Sequence, residues 1–198
     1  MIRNPHFILA SKSPRRNDLL KQIGLNFSII PSDIYENFDL ELSPEAFTEH
    51  WAREKAKKIG LNNNSLVIGA DTIVLLDKKI LGKPKNKDES FTMLKSLSGR
   101  KHEVITGVSF FWYKNKIDIT INERTYVYIN DLNNNDIYNY IDTYNTLDKA
   151  GGYGIQDKFS IHIKKIEGCY FNVMGLPISS FYKVFQSITK WLRLKKIL

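Results

Sequence analysis

Short apolar runs alternate with helical segments whose starts and stops are marked in the residues themselves, and that alternation most restricts the fold. "HFILAS" reads as a buried strand and runs into the helix "PRRNDLLKQI". Ser13 is placed to cap that helix, and Pro14 suits its first turn because the missing N–H is not needed there. Gly24 ends it in the left-handed region. Ser43 and Pro44 repeat the pattern before "PEAFTEHWAREKAKKI", which stops at Gly60. "SLVIGADTIVLLD" is strand-like, with residues 69–72 expected to interrupt it, and "LDKKIL" is a turn between two strands. "DESFTMLKSL", "NNDIYNYIDTY" and "LPISSFYKVFQSITKWL" are helices. "HEVITGVSFFWY" and "DITINERTYVYI" are long strands, "DKAGGYGIQ" is a glycine-rich loop, and "FSIHIKKIEGCYFNVMG" is expected to be a hairpin turning near Glu167 and Gly168. The interleaving says α/β. Adjacent long strands and a late hairpin make the sheet mixed rather than purely parallel.

The totals exclude several classes. A chain of 198 residues suits one large domain or two lobes sharing a sheet. No apolar run reaches the roughly 18 residues of a membrane span. The N-terminus lacks a signal peptide's long apolar region, so a cytoplasmic protein without membrane partners is the expectation. One cysteine, Cys169, excludes an internal disulfide and a cysteine-based zinc site; it reads as a buried bystander on a strand. The net charge of +8 favours anionic partners. The basic residues are scattered, however, and form no stripe with stacking aromatics, so no specific nucleic acid is expected. No P-loop, GxSxG or HExxH motif is present.

Three features sit where ordinary packing does not want them. Arg15 and Arg16 fall in the first turn of a helix, where free N–H groups already carry partial positive charge. A bound polyphosphate would make them favourable there; alternatively both reach into water at small cost. Lys55 lies four residues from both Trp51 and Ile59, in the middle of the apolar face of its helix. Unaided, the pattern reads as a lysine snorkelling along its stem to water; the alternative is that it faces an anion. Asp71 stands between "LVIGA" and "IVLL", where an unpaired carboxylate is costly. It can pair with a lysine, cap a turn, ligate a metal or act as a base, with Glu36 as a possible second carboxylate. Lys83, in "GKP", is either a phosphate contact or a routine surface lysine. His102 reads as a hydrogen-bonded structural histidine rather than a general base.

Six segments in order, "LASKSPRR", "GADTIV", "GKP", "LSGRKHEVITGV", "DKAGGYGIQ" and "NVMGLP", resemble the Maf family of nucleoside triphosphate pyrophosphatases. The resemblance implies an elongated mixed α/β sheet with flanking helices, two lobes around a central cleft, similar to the inosine triphosphate pyrophosphatase fold. It also implies a single family domain over residues 1–198 and often a homodimer. The implied activity is hydrolysis of dTTP and UTP to the monophosphate and pyrophosphate, for nucleotide-pool housecleaning, with a divalent cation, Mg²⁺ or Mn²⁺. Asp71 would be the proton acceptor, and Asp71 and Glu36 would hold the metal. Ser11, Ser13, Arg15, Arg16, Lys55, Thr72, Lys83 and Gln156 would bind substrate, Thr72 and Gln156 at the base. Rival readings are a pyrophosphatase for another nucleotide such as N7-methyl-GTP, and a non-catalytic septum-inhibition or nucleic-acid-binding protein. Asp157 and Phe159 stand where the family keeps glycines, so strain is expected if either backbone is left-handed.

Overall fold

A computed structural model describes residues 6–195 and 197; residues 1–5, on which part of the signal-peptide reading rests, lie outside them. The elements follow the alternation in the sequence: β1 (Phe7–Leu9), α1 (Pro14–Gln22), β2 (Phe27–Ile29), α2 (Pro44–Gly60), β3 (Leu66–Leu76), β4 (Lys79–Leu81), α3 (Lys87–Leu97), β5 (Lys101–Trp112), β6 (Ile117–Ile129), α4 (Asn134–Thr143), β7 (Ile163–Glu167), α5 (Tyr170–Val173) and α6 (Ile178–Leu194). Short 3₁₀ turns cover Ala150–Gly152 and Lys158–His162. The strands form one seven-stranded sheet in the order β2-β1-β3-β5-β6-β7, with β4 paired to β3. β1 is parallel to β2 and β3, whereas β4 and β7 are antiparallel to their partners, so the sheet is mixed as expected.

The punctuation residues act as read. Ser13 and Ser43 cap α1 and α2, each with proline next, and Gly24 follows α1 at φ +70°. Asp77 and Lys78, both at positive φ, make the two-residue turn from β3 to β4 that matches the twist of a hairpin.

Two expectations fail. β3 is not interrupted at residues 69–72 but runs unbroken through Asp71. The segment after Gln156 is not a hairpin: β7 pairs with β6, and the chain then turns into α5. The aromatic and β-branched residues that read as a second strand are drawn instead into a helical turn, where Asn172 is fully buried. Its amide donates to the Val104 carbonyl and the Thr125 hydroxyl, an arrangement no ladder position would supply. Cys169 therefore sits at a helix start, half-buried, and not on a strand.

The chain divides into two compact units. The first holds residues 1–71, 106–123 and 175–198, and the second holds 72–105 and 124–174. In the first, Phe7, Phe110, Phe181 and Phe185 are completely buried, with Phe181 in ring contact with the other three. In the second, Leu94, Val104, Val127, Ile137, Tyr153 and Phe159 belong to one apolar cluster. No helix among the described residues is long and apolar enough to cross a membrane.

Candidate active site

The charged centre of the first unit is set by a missing side chain. Alternation along β3 puts Gly69 and Asp71 on one face. A Cβ at Gly69 would lie 2.0 Å from the Ala52 carbonyl oxygen, and one at Gly107 on β5 would lie 2.4 Å from that of Thr48. Only glycine at these places lets the backbone of α2 rest on the sheet. Lys55, three residues after Ala52, is thereby brought against Asp71.

Lys55 does not snorkel. Its ammonium donates to Asp71 Oδ1 at 2.6 Å and pairs with Glu36 Oε1 at 2.7 Å. The Lys55 side chain is 12% exposed and that of Asp71 6%. Asp71 Oδ2 is buried and has no hydrogen-bond partner. Glu36 comes from the acidic loop between β2 and α2. That loop is tied down at Asp33, whose carboxylate pairs with Lys12 and whose carbonyl accepts from Lys58.

The arginine pair divides. Arg16 turns inward: its Nε donates to the Gly175 carbonyl at 2.8 Å, and its Nη1 donates to Ser11 Oγ at 3.1 Å. Ser11 Oγ also accepts the Ser13 N–H at 3.2 Å, and Ser13 Oγ caps α1 through the Arg16 N–H. Burial holds the Arg16 guanidinium below its ordinary value, Asp71 and Glu36 pull it back up, and Arg15 opposes them. Arg16 is thus tolerated at a helix start by a carbonyl, a hydroxyl and two nearby carboxylates. Arg15 is half-exposed beside it.

In the second unit, Thr72 is half-buried on β3, while Lys83 and Gln156 are exposed on loops. The Gly151 N–H donates to the Gly82 carbonyl at 3.0 Å, so the "GKP" turn and the glycine-rich segment are joined. Gly151 and Gly152 take φ of +69° and +77°. Asp157, in contrast, is extended at φ −99°, and Phe159 is not at positive φ. Neither is strained: Asp157 caps the turn that follows it, and Phe159 is buried against Tyr140 and Tyr153. His102 is structural, as expected. Its Nε2 is 2.7 Å from the Tyr153 hydroxyl, and burial lowers it to about 4.

Among the described residues, no group of three or more His, Cys, Asp or Glu could hold a metal ion. Asp71 and Glu36 are a two-carboxylate set, which suits a cation whose remaining ligands are phosphate oxygens and water. The orphan oxygen of Asp71 fits such a ligand.

Sequence reasoning missed Gly69, Gly107 and Gly175. A glycine inside an apolar strand is the available signal for close backbone approach, and Gly175, in "NVMGLP" at φ +108°, presents its carbonyl to Arg16.

A family model described as Maf-like protein matches residues 6–188. The chain is 49% identical over 173 residues to the dTTP/UTP pyrophosphatase of Alkaliphilus oremlandii (strain OhILAs), covering 86% of this chain and 90% of that one. It is 45% identical over 181 residues to the dTTP/UTP pyrophosphatase of Thermoanaerobacter sp. (strain X514), covering 90% and 94%. Among solved structures, the Staphylococcus aureus Ham1 protein aligns over 63% of this chain and 71% of its own, at 16% identity and a TM-score of 0.45, a likeness too partial to carry weight. With the match running through both units and the relatives covered nearly end to end, this chain belongs to the Maf family.

Proposed function

We propose that this chain is a nucleoside triphosphate pyrophosphatase that takes dTTP and UTP to the monophosphate and pyrophosphate, clearing them from the nucleotide pool. The reading is supported by the relatives bearing that activity in their names. The observation that carries it is Asp71: a carboxylate with one oxygen fixed by Lys55 and the other buried without a hydrogen-bond partner.

Water attacks the α-phosphorus, the bond from it to the α–β bridging oxygen breaks, and pyrophosphate leaves with that oxygen. Asp71 Oδ2 accepts the proton of the water, and Lys55 holds the carboxylate in place while Glu36 holds Lys55. Arg15, Arg16, Lys55 and Lys83 supply positive charge toward a substrate of about four negative charges, part of it offset by Asp71 and Glu36, with Ser11 and Ser13 in the turn that leads into the arginines. Asp71 and Glu36 are the residues that would hold Mg²⁺ or Mn²⁺, which when bound supplies positive charge to the phosphates. Thr72 and Gln156 offer a hydroxyl and an amide suited to the imide edge that thymine and uracil share.

The test is pyrophosphate release from a panel of nucleoside triphosphates with Mg²⁺, for the wild type and Asp71→Asn. Turnover of dTTP and UTP is expected, with kcat lower by about 10²–10⁴ in the variant, the usual range for general-base loss. Circular dichroism checks that the variant is folded. No pyrophosphate from any triphosphate overturns the activity; Asp71→Asn within a few-fold of wild type removes Asp71 from the role of base.

A further inference from the structure

Tyr140 lies on the buried face of α4 with Ile137 and Ile141. Its ring packs against Tyr144 and Phe159, with centroids 5.2 and 4.9 Å away. Its hydroxyl makes two bonds of opposite sense. It accepts the Gly154 N–H at 2.9 Å and donates to Asp157 Oδ2 at 3.0 Å. Burial pushes the phenol above its ordinary value, so it stays protonated and able to donate. The other Asp157 oxygen accepts the Phe159 N–H at 3.0 Å. Gly154 has to be glycine for this to work, because a Cβ there would lie 2.5 Å from Asp157 Oδ2. One phenol therefore ties both ends of the segment 154–157. Between those ties Ile155 is buried, 4% exposed, and Gln156 projects into solvent.

We propose that Tyr140 and Asp157 are positioning residues that hold the segment 154–157 in the conformation that presents Gln156, and so set the selectivity for the base. The inference rests on the reading above, in which Gln156 meets the base. The two ties fix backbone next to Gly151 and Gly152, residues with a large conformational freedom to lose. Without the ties, ordering that segment falls on substrate binding, which weakens binding and discrimination while leaving the chemical step alone. The aspartate supplies an acceptor that glycine at the same position would lack.

The experiment compares Tyr140→Phe, Asp157→Ala, Asp157→Asn, Gln156→Ala and Tyr140→Phe/Gln156→Ala with the wild type. Kinetics are measured with dTTP, UTP and CTP, and backbone amide exchange is followed at Gly154 in the substrate-free protein. Phenylalanine keeps the ring contacts and removes only the hydroxyl. Tyr140→Phe and Asp157→Ala are expected to raise KM for dTTP and UTP about tenfold, the scale of a lost hydrogen bond to a charged group. kcat should stay within about twofold, the preference for UTP over CTP should fall, and Gly154 should exchange faster in Tyr140→Phe. Asp157→Asn keeps one acceptor oxygen for two donors, the Tyr140 hydroxyl and the Phe159 N–H, and should fall between wild type and Asp157→Ala. The double variant should be no worse than Gln156→Ala alone. An unchanged preference in Tyr140→Phe, effects that multiply in the double variant, or unaltered Gly154 exchange overturns the proposal. So does a Gln156→Ala variant with wild-type preference, which leaves the pyrophosphatase reading standing. If the wild type releases pyrophosphate from nothing, the functional reading falls, and Gly154 exchange still decides whether the clamp exists.

Discussion

Lys55 is a cation on an apolar helix face, and what surrounds its ammonium decides what it does. Periodicity alone leaves it a choice between water and an anion. The structure supplies two anions from this chain, Asp71 and Glu36, and shields Lys55 and Asp71 from solvent, with Glu36 half-buried beside them. Lys55→Met therefore does not relieve a burial cost, as it would for a snorkelling lysine. It leaves two carboxylates with their shared partner gone. Removing one member of a buried pair typically costs about 3–5 kcal/mol. A fall in Tm of several degrees is expected, together with loss of turnover. An unchanged or raised Tm would mean that the pair contributes nothing to the fold. Arg16 follows the same logic, since its bonds to Gly175 and Ser11 make it part of the framework even without substrate. Arg16→Gln should cost about 1.5–3 kcal/mol in urea unfolding, the range for losing hydrogen bonds to a charged donor, whereas relief of the charge at the helix start would return less than about 1 kcal/mol. A gain in stability would show that dipole repulsion outweighs those bonds.

At the scale of elements, α2 and β3 work as one part. The helix lies on the sheet because Gly69 and Gly107 have no side chains at the contact, and Ala52 and Ala56 present the smallest possible surface in return. Gly69→Ala would place a methyl 2.0 Å from a carbonyl oxygen, so the helix has to shift. The expected cost is about 1–3 kcal/mol or more, the overpacking range. Because the same shift carries Lys55 away from Asp71, activity should fall along with the midpoint of urea unfolding. Ala at position 69 with both quantities unchanged would contradict the close approach. Continuity of β3 has the same origin: the residues that looked like an interruption are a close contact and a charged group on a strand that never leaves the sheet.

For the whole molecule, acid stability depends on a group far from Asp71 and Glu36 in sequence. His102 is 1% exposed and its folded value is about 4, against 6.5 for a free histidine. The unfolded chain therefore binds a proton that the folded chain refuses between those values. The contribution to stability is complete above about pH 6.5 and is lost as pH falls toward 4, amounting to about 3 kcal/mol at the low end. His102→Gln, which keeps a polar partner for Tyr153, should flatten the unfolding free energy against pH across that window. An identical slope in the two proteins would show that His102 is not the group responsible.

The sequence by itself determined the order and kind of most elements, since caps, prolines and the 3.6-residue and 2-residue periods are local signals that act through neighbouring backbone. Ser13 with Pro14, Ser43 with Pro44, and the Asp77–Lys78 turn were legible for that reason. It also singled out Asp71, Lys55 and the arginine pair, because a charge inside an apolar pattern is conspicuous whatever its partner. Which partner each had was decided only by the tertiary structure. Lys55 meets Glu36 from a loop with no regular period, and Arg16 meets Gly175, 159 residues away. No local rule connects such positions. The same holds for Asp157, which the sequence marks as a departure. Its capping bond from the Phe159 N–H is local, but its second oxygen gains a partner only once α4 delivers the Tyr140 hydroxyl to it, because hydrogen-bond satisfaction depends on distance in space and not along the chain.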